Sequence, residues 1–231
     1  MPVVISLQVA RPAVYLHHGH ADGKPSSWTT AFFKAPIAGP VHVGSLGLAG
    51  DDQADKENHG GPDKAVLAYS ADHYAYWRQH LVLPDMPHGG FGENLTIAGS
   101  DETSVCIGDT WRAGDVVFQV TQPRQPCWKM SRRWQVADLA KQVIVNGKSG
   151  WYVRVLAEGQ LAPDTPIELV SRPNPSWTVA RASELFHHRK DDLVAAAELA
   201  ALPELSAAWK GSLTRRIAKR QAADKQPGKL Q

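Results

Sequence analysis

Residues 104–122 read SVCIGDTWRAGDVVFQVTQ, and the two Gly-Asp pairs at 108–109 and 114–115 decide how the run folds. Each pair separates short stretches rich in β-branched and aromatic residues. A tight turn at each therefore predicts several short strands instead of one long element. The same pattern extends outward through VVISLQVA (3–10), PVHVGSLGL (40–48), AVLAYS (65–70), NLTI (94–97) and PIELVSR (166–172). Gly, Pro, Asn and Asp punctuate these runs at the spacing of a barrel or sandwich, not of alternating βαβ units. Helical periodicity intrudes at DHYAYWRQHL (72–81), with Tyr74, Trp77 and Leu81 on one stripe, and at WQVADLAKQVIV (134–145).

The character changes after RPNPSWT (172–178). Pro173 and Pro175 mark a linker, and Thr178 is placed to cap a helix starting VARASELF. A second helix is expected over 191–201, with acids in its first turn. A third is expected with Leu205, Ala208, Trp209, Leu213 and Ile217 in step. The expected organisation is a β-barrel over residues 1–172 and a three-helix tail over 175–231, with a frayed end. A tail of this size gains its stability by packing on the barrel or on a second copy of the chain, which makes a homodimer one expectation.

Overall composition, 43% hydrophobic and 21% charged, is that of an ordinary globular chain. No run approaches the length of a membrane span, and MPVVISLQVARP has none of the features of a signal peptide, so a cytoplasmic location is expected. The net charge of +2 hides an asymmetry, because residues 206–231 hold seven Lys/Arg against the single acid Asp224, +6 in all, which leaves −4 for the first 205. Such a tail invites a nucleic-acid or acidic-partner reading. The plainer reading, a solvated helix face with a basic end, outweighs it.

Two cysteines 21 positions apart form neither a disulfide framework nor a zinc-knuckle spacing. Cys106, between Val105 and Ile107 in an expected strand, reads as a small buried hydrophobe. Cys127 differs. It lies in VTQPRQPCWKM (120–130) behind Pro126, between Arg124 and Lys129. Cations near a thiol favour its charged form, the form that ligates metals and attacks electrophiles, and prolines at 123 and 126 stiffen the turn. Upstream, LGLAGDDQADKENHGGPDKAVLAY (46–69) sets His59 and Lys64 around Gly60 and Gly61, an arrangement suited to a backbone nest for an oxyanion. It matches neither the P-loop nor the dinucleotide fingerprint. In GGFGENLT (89–96), composition alone favours an Asx turn at Asn94 with a solvated Glu93. The HHGH run at 17–20 reads as a solvated loop, with metal binding a minority option.

Taken in order, GLAGDDQAD (47–55), HGGPDKAV (59–66) with Tyr69, FGENLT (91–96), IGDTWRAGD (107–115) and QPRQPCWK (122–129) resemble the MOSC family, and the three-helix tail resembles its YiiM-like branch. The resemblance implies a β-barrel that binds a molybdenum–pterin cofactor (molybdopterin), with the family's motif cysteine, here Cys127, as catalytic residue and molybdenum ligand. His59, Gly60, Gly61, Lys64 and Asn94 match motif positions and so become cofactor-binding candidates. Lys34 is the best match to a basic family position, and Arg124 and Lys129 are candidates for the pterin phosphate. The implied activity is reduction of small N-hydroxylated compounds such as hydroxylamino-purines, a detoxification reaction. Electrons would come from an external donor protein, a flavoprotein or haem protein, since no flavin or iron–sulfur motif is visible. Two alternatives stand beside it: sulfur transfer through a Cys127 persulfide, and a non-catalytic binding module that uses the basic C-terminal helix.

Overall fold

The computed structural model describes residues 1–16 and 27–224. In chain order its strands are β1 (Val3–Val9), β2 (Ala13–Leu16), β3 (Ser27–Thr30), β4 (Ala35–Pro36), β5 (Val41–Gly44), β6 (Gly47–Leu48) and β7 (Val66–Ser70), followed by β8 (Leu95–Ala98), β9 (Thr110–Ala113), β10 (Val116–Pro123), β11 (Trp151–Ala157), β12 (Gly159–Leu161) and β13 (Thr165–Ser171). The helices are α1 (Lys56–His59), α2 (His73–His80), α3 (Trp128–Trp134), α4 (Leu139–Asn146), α5 (Val179–His187), α6 (Leu193–Ala201) and α7 (Ala207–Asp224).

Seven strands in the order β13-β9-β10-β11-β7-β8-β1 close on themselves, because β13 also pairs with β1 at Pro166–Val3 and Thr165–Val4. Closure removes the exposed edges of the sheet. Every pairing around the ring is antiparallel except β7–β8. A parallel pair cannot be joined by a hairpin, so residues 71–94 cross over, carrying α2 and the GGFGEN segment across one end of the barrel. The side sheets β12-β5-β6 and β2-β3 stand outside the ring. Positive φ at Gly108 and Gly114 makes both Gly-Asp turns. The barrel is filled by Val4, Leu7, Ile97, Phe118, Val120 and Trp151, each at most 1% exposed.

The tail seats on this barrel. Trp177, Val179, Leu185, Leu199, Trp209 and Leu213 belong to the same buried cluster as the barrel interior. Thr178 caps α5 by accepting from Arg181 N–H at 3.1 Å. A second apolar cluster, containing Phe32, Tyr69, Tyr74, Trp77, Phe91 and Met130, packs α2, α3 and α4 against the barrel end.

Several expectations are corrected. Cys106 lies in no strand: it makes one isolated bridge to Thr178, and is buried as expected. The helix expected over 134–145 starts later, at Leu139: α3, an additional helix, ends at Trp134 and Gln135 turns left-handed at φ 57°. Strands β2, β3, β4, β11 and β12 add to those expected. Asp192 is the N-cap of α6, accepting from Ala195 N–H, and no acid stands in the first turn. Ala208 faces out, and Leu205 precedes α7. The basic side chains of α7 are partly committed to the tail itself. Arg216 donates to Leu185 O and Phe186 O, Lys210 donates to Pro203 O, and Arg220 faces Asp191 at 3.6 Å. Helix α7 runs on to Asp224, so the expected fraying applies at most to 225–231, which lie outside the described residues, as does HHGH. No described helix is long and apolar enough to cross a membrane.

Candidate functional site

A cleft of about 590 Å³, open to solvent, lies where β3, the α1 loop, the GGFGEN crossover and the end of β10 converge. Cys127 lines it. Strand β10 ends at Pro123, Arg124 is pinned by its N–H to Gly150 O at 3.0 Å, and Cys127 is the extended N-cap residue of α3. Its half-buried thiol thus sits on a fixed corner between strand and helix. Helix α3 is docked in turn: Arg133 Nη1 donates to Phe32 O at 2.9 Å and Gly89 O at 2.7 Å, and Trp134 Nε1 donates to Gly90 O at 2.8 Å.

Of the sequence candidates, Lys34, His59, Lys64, Asn94, Arg124 and Lys129 share the cleft with Cys127. They divide by commitment. Lys34 is paired with buried Asp51, and Asn94 donates to Asp51 Oδ2 at 2.8 Å and to Gln8 O while accepting from Leu67 N–H. These two build the wall. Lys64 donates to Asn58 O at 2.6 Å and steadies the α1 loop. Arg124 is buried, its guanidinium over the Phe32 ring at 5.7 Å, and its Nη1 has no hydrogen-bond partner among the described residues. Lys129 lines the cleft with no ion-pair partner within 4 Å among the described residues.

The electrostatics record this crowding of cations. Burial, then Lys129, with Arg124 and Lys64 adding, pushes His59 down to about 4 against the pull of Asp55, so His59 is neutral at pH 7. Burial lowers Lys64 and, despite Asp51, Lys34, and it raises Tyr152 on the far wall.

Gly60 and Gly61 are not brought to Cys127. They line a second depression behind the loop, with Gly47, Lys56 and Glu158. Glu93, expected in solvent, is fully buried and accepts from Tyr74 Oη, Gly89 N–H, Phe91 N–H and Thr96 Oγ1. It is the hub that folds the glycine-rich turn. At Gly92 a Cβ would lie 2.8 Å from the Phe32 ring, so that position stays open only to glycine. Sequence reasoning passed over Asp51, Phe32 and Tyr152. Only Asp51, directly after a glycine at φ 90°, carried a signal.

The chain can be set beside known proteins. Residues 55–168 match the MOSC domain, and residues 177–220 match the YiiM-like 3-alpha helix domain. The chain is 38% identical over 213 residues to YflK of Bacillus subtilis, covering 92% of this chain and 93% of that one. It is 37% identical over 204 residues to YiiM of Escherichia coli, covering 85% and 87%. A protein named Reductase from Gibberella moniliformis shares 36% identity over 178 residues, 76% of this chain and 32% of that longer one. The crystal structure of YiiM from Geobacillus stearothermophilus superposes with a TM-score of 0.79 at 34% identity, over 94% of this chain and 100% of that one.

Proposed function

The chain belongs to the MOSC-domain family, in the branch with a YiiM-like three-helix tail, and from that premise we propose that it reduces small N-hydroxylated compounds, hydroxylamino-purines among them, with a molybdenum–pterin cofactor held in the Cys127 cleft. The observation that carries the reading is Arg124: a buried guanidinium whose Nη1 has no hydrogen-bond partner among the described residues, in the same cleft as a thiol and Lys129. A buried charge without a partner is costly unless a ligand supplies one. A phosphate-bearing group with a soft metal answers both halves of that donor set. The fungal relative named Reductase supports the reaction class.

Cys127 would ligate the metal through its thiolate, a soft donor. Arg124 and Lys129, with Lys64 beside them, would hold the pterin phosphate by charge-assisted hydrogen bonds. When bound, the cofactor supplies the two-electron redox chemistry that no side chain has. His59, neutral at pH 7, offers a hydrogen bond without adding to the positive charge. Reduction of an N–OH group to an amine consumes two electrons and two protons and releases water. The electrons would come from an external flavoprotein or haem-protein donor.

The test is elemental analysis of protein produced with molybdate, paired with an assay on an N-hydroxylated purine and a reduced donor. Stoichiometric molybdenum and turnover are expected in the wild type, and neither in Cys127→Ala. Full molybdenum content in Cys127→Ala would overturn the ligand assignment. A labile extra sulfur on Cys127 in metal-free active protein would move the reading to sulfur transfer.

A further inference from the structure

Strand β10 bulges at Thr121, where its pairing with β11 slips between Val120 and Gln122. A bulged residue drops out of the ladder and its groups become available elsewhere. At Thr121 they join three parts of the molecule. Its carbonyl accepts from Ser206 N–H at 3.1 Å, just before α7. Its hydroxyl donates to Asp63 O at 2.7 Å, with Tyr152 O at 3.0 Å as a second acceptor.

Asp63 completes the joint. Its Oδ1 accepts from Arg154 Nε at 3.1 Å and Nη2 at 2.7 Å, and its Oδ2 accepts from Ala207 N–H at 3.0 Å, the first residue of α7. Arg154 Nη2 also donates to Glu204 O at 3.0 Å. The turn between α6 and α7 is thus tied to Asp63, Thr121 and Arg154, which stand near the cleft-lining Lys64, Arg124 and Tyr152 on their own segments. Asp63 is the chain neighbour of Lys64. Arg154 stands two residues from Tyr152, on the same face of β11. Thr121 leads along β10 to Arg124 and Cys127.

We propose that Asp63 and Thr121 are positioning residues through which the seating of α7 sets the placement of the His59–Lys64 wall and of the strand end that carries Arg124 and Cys127. On this reading the three-helix tail is a working part of the cleft. The inference does not depend on which group the cleft holds, and it is testable on the full chain without a cofactor.

The experiment compares Thr121→Val and Asp63→Asn with Thr165→Val. Thr165 also donates its hydroxyl to a backbone carbonyl, Ala162 O at 2.7 Å, but it sits at the far end of β1 from the cleft. Two readouts are taken: amide hydrogen exchange over residues 55–64 and 204–212, and the rate at which iodoacetamide alkylates Cys127. Loss of one tie should raise exchange in both segments by about threefold or more, the scale of a lost neutral hydrogen bond. It should also change the Cys127 alkylation rate by about twofold or more, because the surrounding cations shift. Thr165→Val should change neither. Should Thr121→Val fail to fold, Asp63→Asn, which keeps the side-chain shape, decides alone. Unchanged exchange over 55–64, faster exchange confined to 204–212, or an equal response in Thr165→Val would overturn the proposal.

Discussion

Lys34 and Asp51 neutralise each other beneath the cleft, with 7% and 2% of their side chains exposed. Asp51 also accepts from Ala10 N–H at 2.8 Å and from Asn94 Nδ2 at 2.8 Å. The lysine that resemblance offered as a ligand for the cofactor is therefore the counter-ion of a wall carboxylate. Lys34→Met strands that carboxylate, and a loss of about 3–5 kcal/mol in urea unfolding is expected, as for a broken buried pair. A loss below about 1 kcal/mol, the range of a surface pair, would place Lys34 among the free cations.

Arg124 should behave in the opposite way. Its buried Nη1 has no hydrogen-bond partner among the described residues, so Arg124→Met should leave the thermal midpoint of protein prepared without molybdate unchanged or raise it. Pterin retention on gel filtration should fall by about tenfold or more, the worth of one hydrogen bond to a charged group. A lower midpoint with full retention would make Arg124 a structural residue.

Two histidines carry a pH signature. His59, pressed by burial and by Lys129, Arg124 and Lys64, and His187, pressed by burial and by His188, Lys190 and Arg216, are both lowered from 6.5 to about 4. Between those values the unfolded chain takes up protons that the folded chain refuses. Stability is thus fully present above about pH 6.5 and declines as the pH falls toward 4. The urea midpoint should drop between about pH 6.5 and 5, a range above the usual carboxylate values. His59→Gln and His187→Gln should each flatten the slope. An unchanged slope in the double variant would show that other groups bind the protons.

Much of this was legible in sequence, for identifiable reasons. Gly108 and Gly114 stand at turns that need positive φ, so β9 and β10 were readable, although the run before Gly108 forms no strand, and so was the tail, with Thr178 as cap and Trp209 and Leu213 on one apolar stripe. Helix α3 was not, because WKMSRRW offers only Met130 and Trp134 as an apolar pair. It is fixed by that pair in the cluster at the barrel end and by bonds from Arg133 and Trp134 to the distant carbonyls of Phe32, Gly89 and Gly90. Cys127 stood out by the company it keeps. Glu93 did not, because its four donors come together only after the crossover has folded. Composition likewise reveals the pair Gly60 and Gly61 but not that it lines the depression behind the loop.

The ring closes by joining the beginning of the chain to its 165–171 stretch, and the cleft wall is then stitched to residues 204–207. Synthesis runs in the other sense, from residue 1 onward. The thiol at 127 and the loop at 59–64 therefore leave the ribosome long before the segments that close the barrel and tie down their wall. Contacts between distant parts of a chain form late, after loop closure has been met. A cleft whose neighbouring segments are tied down only by residues 206–207 is accordingly a property of the finished chain, not of the nascent one.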